Sequence, residues 1–255
     1  MTKTEWFISI IVGVVIGMIA GLLGVPQLLQ AKSVAAASTA DEALRATLTS
    51  HLKWKTLQGA ADVVWYKPDG GTQVYANTFS IQQPNLAQIS VKSEDGTGNS
   101  GEWISDGRKA YGIDPLTREY AGASLPTFSA DLSKLPSTLE AAKTTEVIYR
   151  HPFGMLIPSP VGEYLYPQWF SQGGGNYVLA GEETVLGRKV WVVEYTKYTA
   201  EVTAWIDEET GVILKYTQKM DGKLFLEVTF TSFEENSPLD ASLFTLPADA
   251  KPAAQ

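Results

Sequence analysis

Two histidines, His51 and His151, and no cysteine stand in this chain. Disulfides, thiolate metal sites, a cysteine nucleophile and a lipid-modified N-terminal cysteine are therefore excluded. His51 has polar neighbours in a helical stretch and reads as a helix-surface residue; His151 precedes Pro152 in a loop. The carboxylate runs Asp207-Glu208-Glu209 and Glu234-Glu235 are the best material for acid–base work or calcium. Both sit at strand ends near Gly or Pro, where solvated turns account for them. No Gly-x-Ser-x-Gly, His-Glu-x-x-His or phosphate-cradling glycine loop appears. The expectation is a protein that is no enzyme and carries no metal and no cofactor. Acidic residues outnumber basic ones 28 to 20, a net charge of -8. That balance argues against nucleic acid and against polybasic docking on anionic lipid.

Aromatic side chains are plentiful instead, with seven Trp, eleven Tyr and nine Phe. Period-two alternation predicts which of them face inward. The expected apolar lining of a ligand cavity is Trp65, Tyr75, Phe79, Ile81, Ile89, Trp103, Tyr111 and Ile113 from the first half of the chain. Tyr164, Leu165 and Trp169 are expected from a helical face between the halves. Trp191, Val193, Tyr195, Leu214, Tyr216, Leu226, Val228 and Phe230 complete it from the second half. Two readings stand: these residues fill a solid core, or they surround an apolar cavity for an acyl chain or hydrophobic peptide.

The elements that position them follow from pattern. Thr39 and Glu42 have capping-box spacing ahead of Leu44, Leu48, Leu52 and Trp54, which predicts a leading helix of about four turns. From Gly59 the period changes to two, in five segments between 59 and 114 and five more between 176 and 233. Turns at Asp95-Gly96, Asp106-Gly107, Leu186-Gly187 and Asp221-Gly222 join them closely, so the sheet is an antiparallel meander of about ten strands. Between the series, residues 125–175 are proline-rich with short helical stretches, and Gly173-Gly174-Gly175 offers a hinge.

No charged residue lies between Glu5 and Lys32. The apolar run Trp6–Val25 is twenty residues long, and at about 1.5 Å each it covers about 30 Å, the thickness of a bilayer core. Its length favours an uncleaved transmembrane anchor, while Ala35-Ala36-Ala37 has the pattern of a signal-peptide cleavage site. Either way the rest is exported. The organisation read here is an anchor or signal peptide at 1–31, a linker at 32–41, a binding domain at 42–247 and a tail at 248–255. The expected localisation is a cell membrane, single-pass, with the large domain extracytoplasmic.

Several pieces in order resemble a known family: the leading helix, WISDGRKAYGIDP at 103–115, GEETVLGRKVWVVEY at 181–195, AWIDEETGVILKY at 204–216 and FTSFEENSPLDASLFTLP at 230–247. They resemble the periplasmic outer-membrane lipoprotein carriers (LolA-like) and the related sigma-factor regulators of the MucB/RseB type. The resemblance covers roughly residues 42 to 247. It implies a mainly β fold of the α+β kind: an unclosed, strongly curved antiparallel barrel with helices on its concave side, here preceded by one transmembrane helix. It also implies a hydrophobic cavity for lipid, acyl chain or lipoprotein, or alternatively a sensor module acting through an envelope regulatory protein. The strand Gly59–Lys67 lacks the arginine with which the carriers latch their helices. A linker of about ten residues reaches at most about 36 Å, so a tethered domain stays beside its membrane.

Gly13, Gly17 and Gly21 repeat every four residues and share one face of the anchor, where small residues let two helices pair. Such pairing contributes on the order of 1–2 kcal/mol, giving a reversible dimer. Fused to a reporter of helix self-association in membranes, the segment Trp6–Leu29 should lose signal several-fold on Gly17→Ile. Equal signals from the native and substituted spans would leave the glycines without a pairing role.

Overall fold

The computed structural model describes residues 34–96, 100–144, 152–153 and 160–253. The anchor segment with Gly13, Gly17 and Gly21, and His151, lie outside the described residues. Among the described residues no helix is long and apolar enough to cross a membrane.

Among the described residues twelve strands form one open sheet. The first meander comprises β1 (Thr56–Tyr66), β2 (Thr72–Gln82), β3 (Leu86–Ser93), β4 (Gly101–Asp106), β5 (Lys109–Ile113) and β6 (Glu119–Ser124). The second comprises β7 (Asn176–Val185), β8 (Arg188–Lys197), β9 (Ala200–Asp207), β10 (Ile213–Met220) and β11 (Lys223–Glu235), and a last short strand, β12, spans Lys251–Pro252. The sheet order is β12-β6-β5-β4-β3-β2-β1-β11-β10-β9-β8-β7. The meanders meet where β1 pairs antiparallel with β11, from Leu57 opposite Glu235 to Trp65 opposite Leu226. With β12 at one edge and β7 at the other, the curved sheet stays unclosed.

Ten strands were readable by alternation; β6 and β12 are the additional two. The sequence of β6, EYAGAS, offers mostly small residues, and β12 has two residues, so neither has a detectable period. The supposed tail therefore takes part in the fold. Lys251 and Pro252 pair in parallel with Glu119 and Tyr120, and Arg118 Nε donates to Asp249 at 2.9 Å.

The leading helix, α1, spans Val34–Leu48 and begins five residues before Thr39. The run Val-Ala-Ala-Ala favours helix intrinsically, so Thr39 is an interior position instead of the cap. This helix also takes in most of the stretch read as linker. Beyond Leu48 the chain tightens into a 3-10 turn, Ser50–Leu52. Three residues per turn instead of 3.6 rotate the side chains out of the α-helical register. Leu52 consequently points outward at 64% exposure, and His51 is buried at 3%. His51 is thus an interior residue, not a helix-surface one.

Among the described residues, three short α-helices follow the first meander: α2 (Leu139–Thr144), α3 (Val161–Leu165) and α4 (Gln168–Gln172). Together with α1 they contribute Ala43, Leu44, Leu48, Leu139, Val161, Leu165 and Phe170 to one continuous core with the concave face of the sheet. The described elements from Ala35 onward belong to one compact unit.

Gly211 makes the contact between α1 and the β9–β10 turn possible. It adopts φ +73°, and a Cβ there would come within 2.1 Å of the Ala46 carbonyl oxygen. Gly211→Ala combines a left-handed backbone, which costs an L-residue about 1–2 kcal/mol, with a backbone clash. Urea unfolding should show a loss of at least about 2 kcal/mol in stability. A loss under about 0.5 kcal/mol, the scale of an ordinary surface substitution, would mean that the helix does not rest on this turn.

Candidate functional site

Register decides which side chains share the concave face, because directly opposed residues in an antiparallel pair lie on the same side. Ala61 stands opposite Phe230 and Val63 opposite Val228 across the central seam. Outward from it, Tyr216 faces Val228 and Ala204, and Val193 faces Ala204. On the other side Phe79 faces Ile89, and Ile89 faces Trp103.

The expected lining residues divide accordingly. Phe79, Ile81, Ile89, Tyr164, Leu165, Trp191, Val193, Leu214, Tyr216, Leu226, Val228 and Phe230 are buried together in the concave core. Trp65, Tyr75, Trp169 and Tyr195 are partly buried against it. Trp103 continues the concave face beyond that cluster, its indole lying over Gly101 and Gly112. Tyr111 and Ile113 do not join it. Tyr111 is opposite Ile104 and Ile113 opposite Glu102, so both face the other side of the sheet from Trp103. The odd-even parity of β5 was misassigned because its five residues carry apolar groups on both faces. Phe244, in the C-terminal 3-10 turn that packs on β3 and β4, is buried outside the concave core as well.

The side chains on the concave face are packed against the helices that cover it. Rings form a chain across this contact: Tyr164 to Tyr216 at 4.9 Å, Trp169 to Phe170 at 5.7 Å, Phe170 to Tyr177 at 5.5 Å and Tyr177 stacked on Tyr195 at 4.6 Å. Burial pushes the hydroxyls of Tyr164, Tyr166, Tyr177 and Tyr216 upward, so all four stay neutral. A neutral Tyr presents an apolar body with one polar handle, and two handles are used to hold α4. Tyr177 Oη donates to the Phe170 carbonyl, and Tyr195 Oη and Lys197 Nζ donate to the Gly173 carbonyl at 3.3 and 2.6 Å. These donors satisfy carbonyls that the end of a helix leaves free. Gly175 is required by closeness more than by flexibility, since a Cβ there would meet the Tyr195 ring at 2.1 Å.

One further contact joins the cover to the leading helix. Gln168 of α4 and His51 are both buried, with Gln168 Nε2 and His51 Nδ1 3.0 Å apart. Sequence pattern carried no sign of it, because it depends on the 3-10 turn and on two residues 117 positions apart. A cleft of about 540 Å³ opens among Lys55, Thr56, Gln82, Gln83, Pro84 and Leu132. None of the expected lining residues borders it.

Members of the carboxylate runs tie strand ends together. Asp207 is fully buried and accepts from Arg188 at 2.8 and 3.0 Å and from the Thr210 amide at 2.8 Å. Arg188 also reaches Glu209 at 2.8 Å and Glu235 at 3.0 Å, while its guanidinium lies over the Phe233 ring. Asp207 is therefore no solvated turn residue. Its run was read as one because the partner arginine is nineteen positions away in sequence. Among the described residues no group of three or more His, Asp or Glu side chains is placed to hold a metal ion.

No family model matches the sequence, and no curated protein matches it. Solved structures do. Pseudomonas aeruginosa MucB, from its complex with MucA, matches at 16% identity over 85% of this chain and 64% of its own, with a TM-score of 0.47. Mycobacterium tuberculosis lipoprotein LppX matches at 12% identity over 80% and 98%, TM-score 0.44. A LolA-superfamily protein of Nitrosomonas europaea matches at 9% identity over 81% and 97%, TM-score 0.37. The chain spans 62–66% of the length of the MucB chains it matches. MucB and the LolA superfamily are also the names that the sequence resemblance gives.

Removing Arg188 would leave the Asp207 carboxylate buried without its partner, a change that typically costs about 3–5 kcal/mol. Arg188→Ala should therefore lower the urea midpoint strongly, with Arg188→Lys falling between it and the native protein. Native-like stability in Arg188→Ala would show that the three strand ends do not need this tie.

Proposed function

We propose that the chain is a membrane-tethered extracytoplasmic binding domain whose concave sheet face takes a lipid, an acyl chain or the acylated end of a lipoprotein. The observation that carries this reading is the nature of the cover. The concave face is apolar across β1–β3 and β8–β11, and α2, α3 and α4, with five or six residues each, close much of it. Helices this short have little stability of their own and depend on the side chains that pin them. Moving them aside exposes a broad apolar face to which a hydrocarbon chain is complementary. Tethering comes from the uncharged N-terminal run, and protease protection of that segment in membranes, with the domain accessible from outside, is its test.

A second reading, a sensor module acting through an envelope regulatory protein, is favoured by the close packing of the expected lining residues on the protein's own helices. A domain that filled its concave face permanently would work through its outer surface. Crosslinking in native membranes followed by pull-down distinguishes the two. A partner captured with no lipid in organic extracts of the protein favours the module.

The ligand reading makes a directional prediction, because binding competes with closure. Tyr177→Phe removes the hydroxyl that holds the Phe170 carbonyl while keeping the ring. Loss of one such bond is worth about 1 kcal/mol, so a fluorescent long-chain fatty acid should bind roughly fivefold more tightly to the variant. Absence of saturable binding in both proteins would contradict the ligand reading, and unchanged affinity would contradict the closing role of α4.

A further inference from the structure

The contact between His51 and Gln168 has a property that the other described contacts of the cover lack. Its imidazole can change charge near neutral pH. The ring is buried, and burial holds it below the ordinary imidazole range, with the Leu48 carbonyl offsetting part of that effect. In the neutral ring Nδ1 accepts from Gln168 Nε2. Protonation turns Nδ1 into a donor facing a donor. The Gln168 amide oxygen, which could accept from a protonated ring only after the amide turned over, is itself buried without a partner among the described residues. The Gln168 side of the site is thus built for the neutral ring, and the Leu48 carbonyl alone favours the charged one.

Among the described residues no counter-charge rescues it. On the ring's own stretch of chain the charged groups are Arg45 and Lys53, both exposed. Lys53 Nζ lies 3.4 Å from the Glu208 carbonyl, and the carboxylates of Asp207 and Glu42 act on its charge. Helix α4 has the sequence QWFSQ and no ionisable side chain. Helix α3 brings Glu163 and Tyr164, Tyr166 follows it, and α2, packed on α4, brings the exposed Glu140. None of these contributes to the shift at His51, which burial and the Leu48 carbonyl set.

We propose that the His51–Gln168 contact is a pH-sensitive latch, and that protonation of His51 releases α4 from the turn that ends the leading helix. A group whose folded-state value is depressed stabilises the closed form above its unfolded value, about 6.5 for histidine, and that stabilisation is lost as the pH falls below it. Above neutrality the cover is held; under acid it loosens and the concave face opens beneath it. The switch does not depend on what that face binds.

Amide hydrogen exchange of the full-length chain, corrected for the pH dependence of the exchange chemistry, reads it directly. Between about pH 7.5 and about pH 5.5 protection of residues 161–172 should fall by roughly tenfold, the factor by which an opened imidazole of ordinary pKa gains protons. Protection of β8–β11 should not change. His51→Gln, which cannot be charged, should remove that dependence. Gln168→Glu sets a carboxylate against the ring and should abolish or reverse it, which keeps the test decisive where His51→Gln does not fold. Constant protection in the native protein would overturn the latch. So would a native-sized loss in His51→Gln, or the native dependence retained in Gln168→Glu.

Discussion

The antiparallel pairing of β1 with β11 is the constraint on which the rest of the structure depends. It joins residues about 170 positions apart, Leu57 with Glu235 and Val63 with Val228, and makes one sheet out of two meanders. Without it each meander would expose an apolar face and an unpaired edge. With it, the inward residues of both halves form one concave surface, too broad for the leading helix alone to cover. The middle of the chain supplies the remaining cover in short pieces, and the aromatic contacts between those pieces and β7–β10 follow from that geometry.

Close approach at the seam sets the shape of its surroundings. A Cβ on Gly59 would lie 2.2 Å from the Ser232 carbonyl, and the register shifts between Ala60 and Ala61. A bulge of this kind bends and twists the strand that contains it. At the neighbouring strand ends, Arg188 ties β8, β9 and β11 together through Asp207 and Glu235. The sheet is thereby fixed on covalent turns and charged ties, whereas the cover is fixed on rings and a few hydrogen bonds. A rigid sheet under a weakly cooperative cover suits a domain that must admit something between them.

Much of this was legible in the residues. Period-two alternation located ten strands, and the glycine turns at Gly96, Gly107, Gly187 and Gly222 all adopt positive φ. Of the expected helical face, Val161, Tyr164 and Leu165 are buried on α3, while Trp169 lies on α4 and is partly buried. What escaped is what local pattern does not encode. Strand β6 is built from small residues that also suit loops, and β12 is too short to have a period. His51 and Leu52 exchanged places because a 3-10 turn rotates side chains away from the α-helical expectation. Asp207 looked solvated because Arg188 reaches it across strands. Tyr111 and Ile113 were placed with Trp103 because apolar residues occupy both faces of β5, so that alternation alone leaves its direction undetermined.

Movement of the cover relative to the sheet is the central claim, and the absence of native cysteine allows it to be measured with two introduced spin labels. One label belongs on α4 at Gln172→Cys and the other on the outward face of β11 at Thr229→Cys, which is exposed. Pulsed electron–electron resonance then gives the distance distribution with and without a saturating long-chain fatty acid. The free protein at neutral pH should give a single narrow distribution, and the protein with fatty acid bound a longer one. Identical distributions in the two states would contradict the claim.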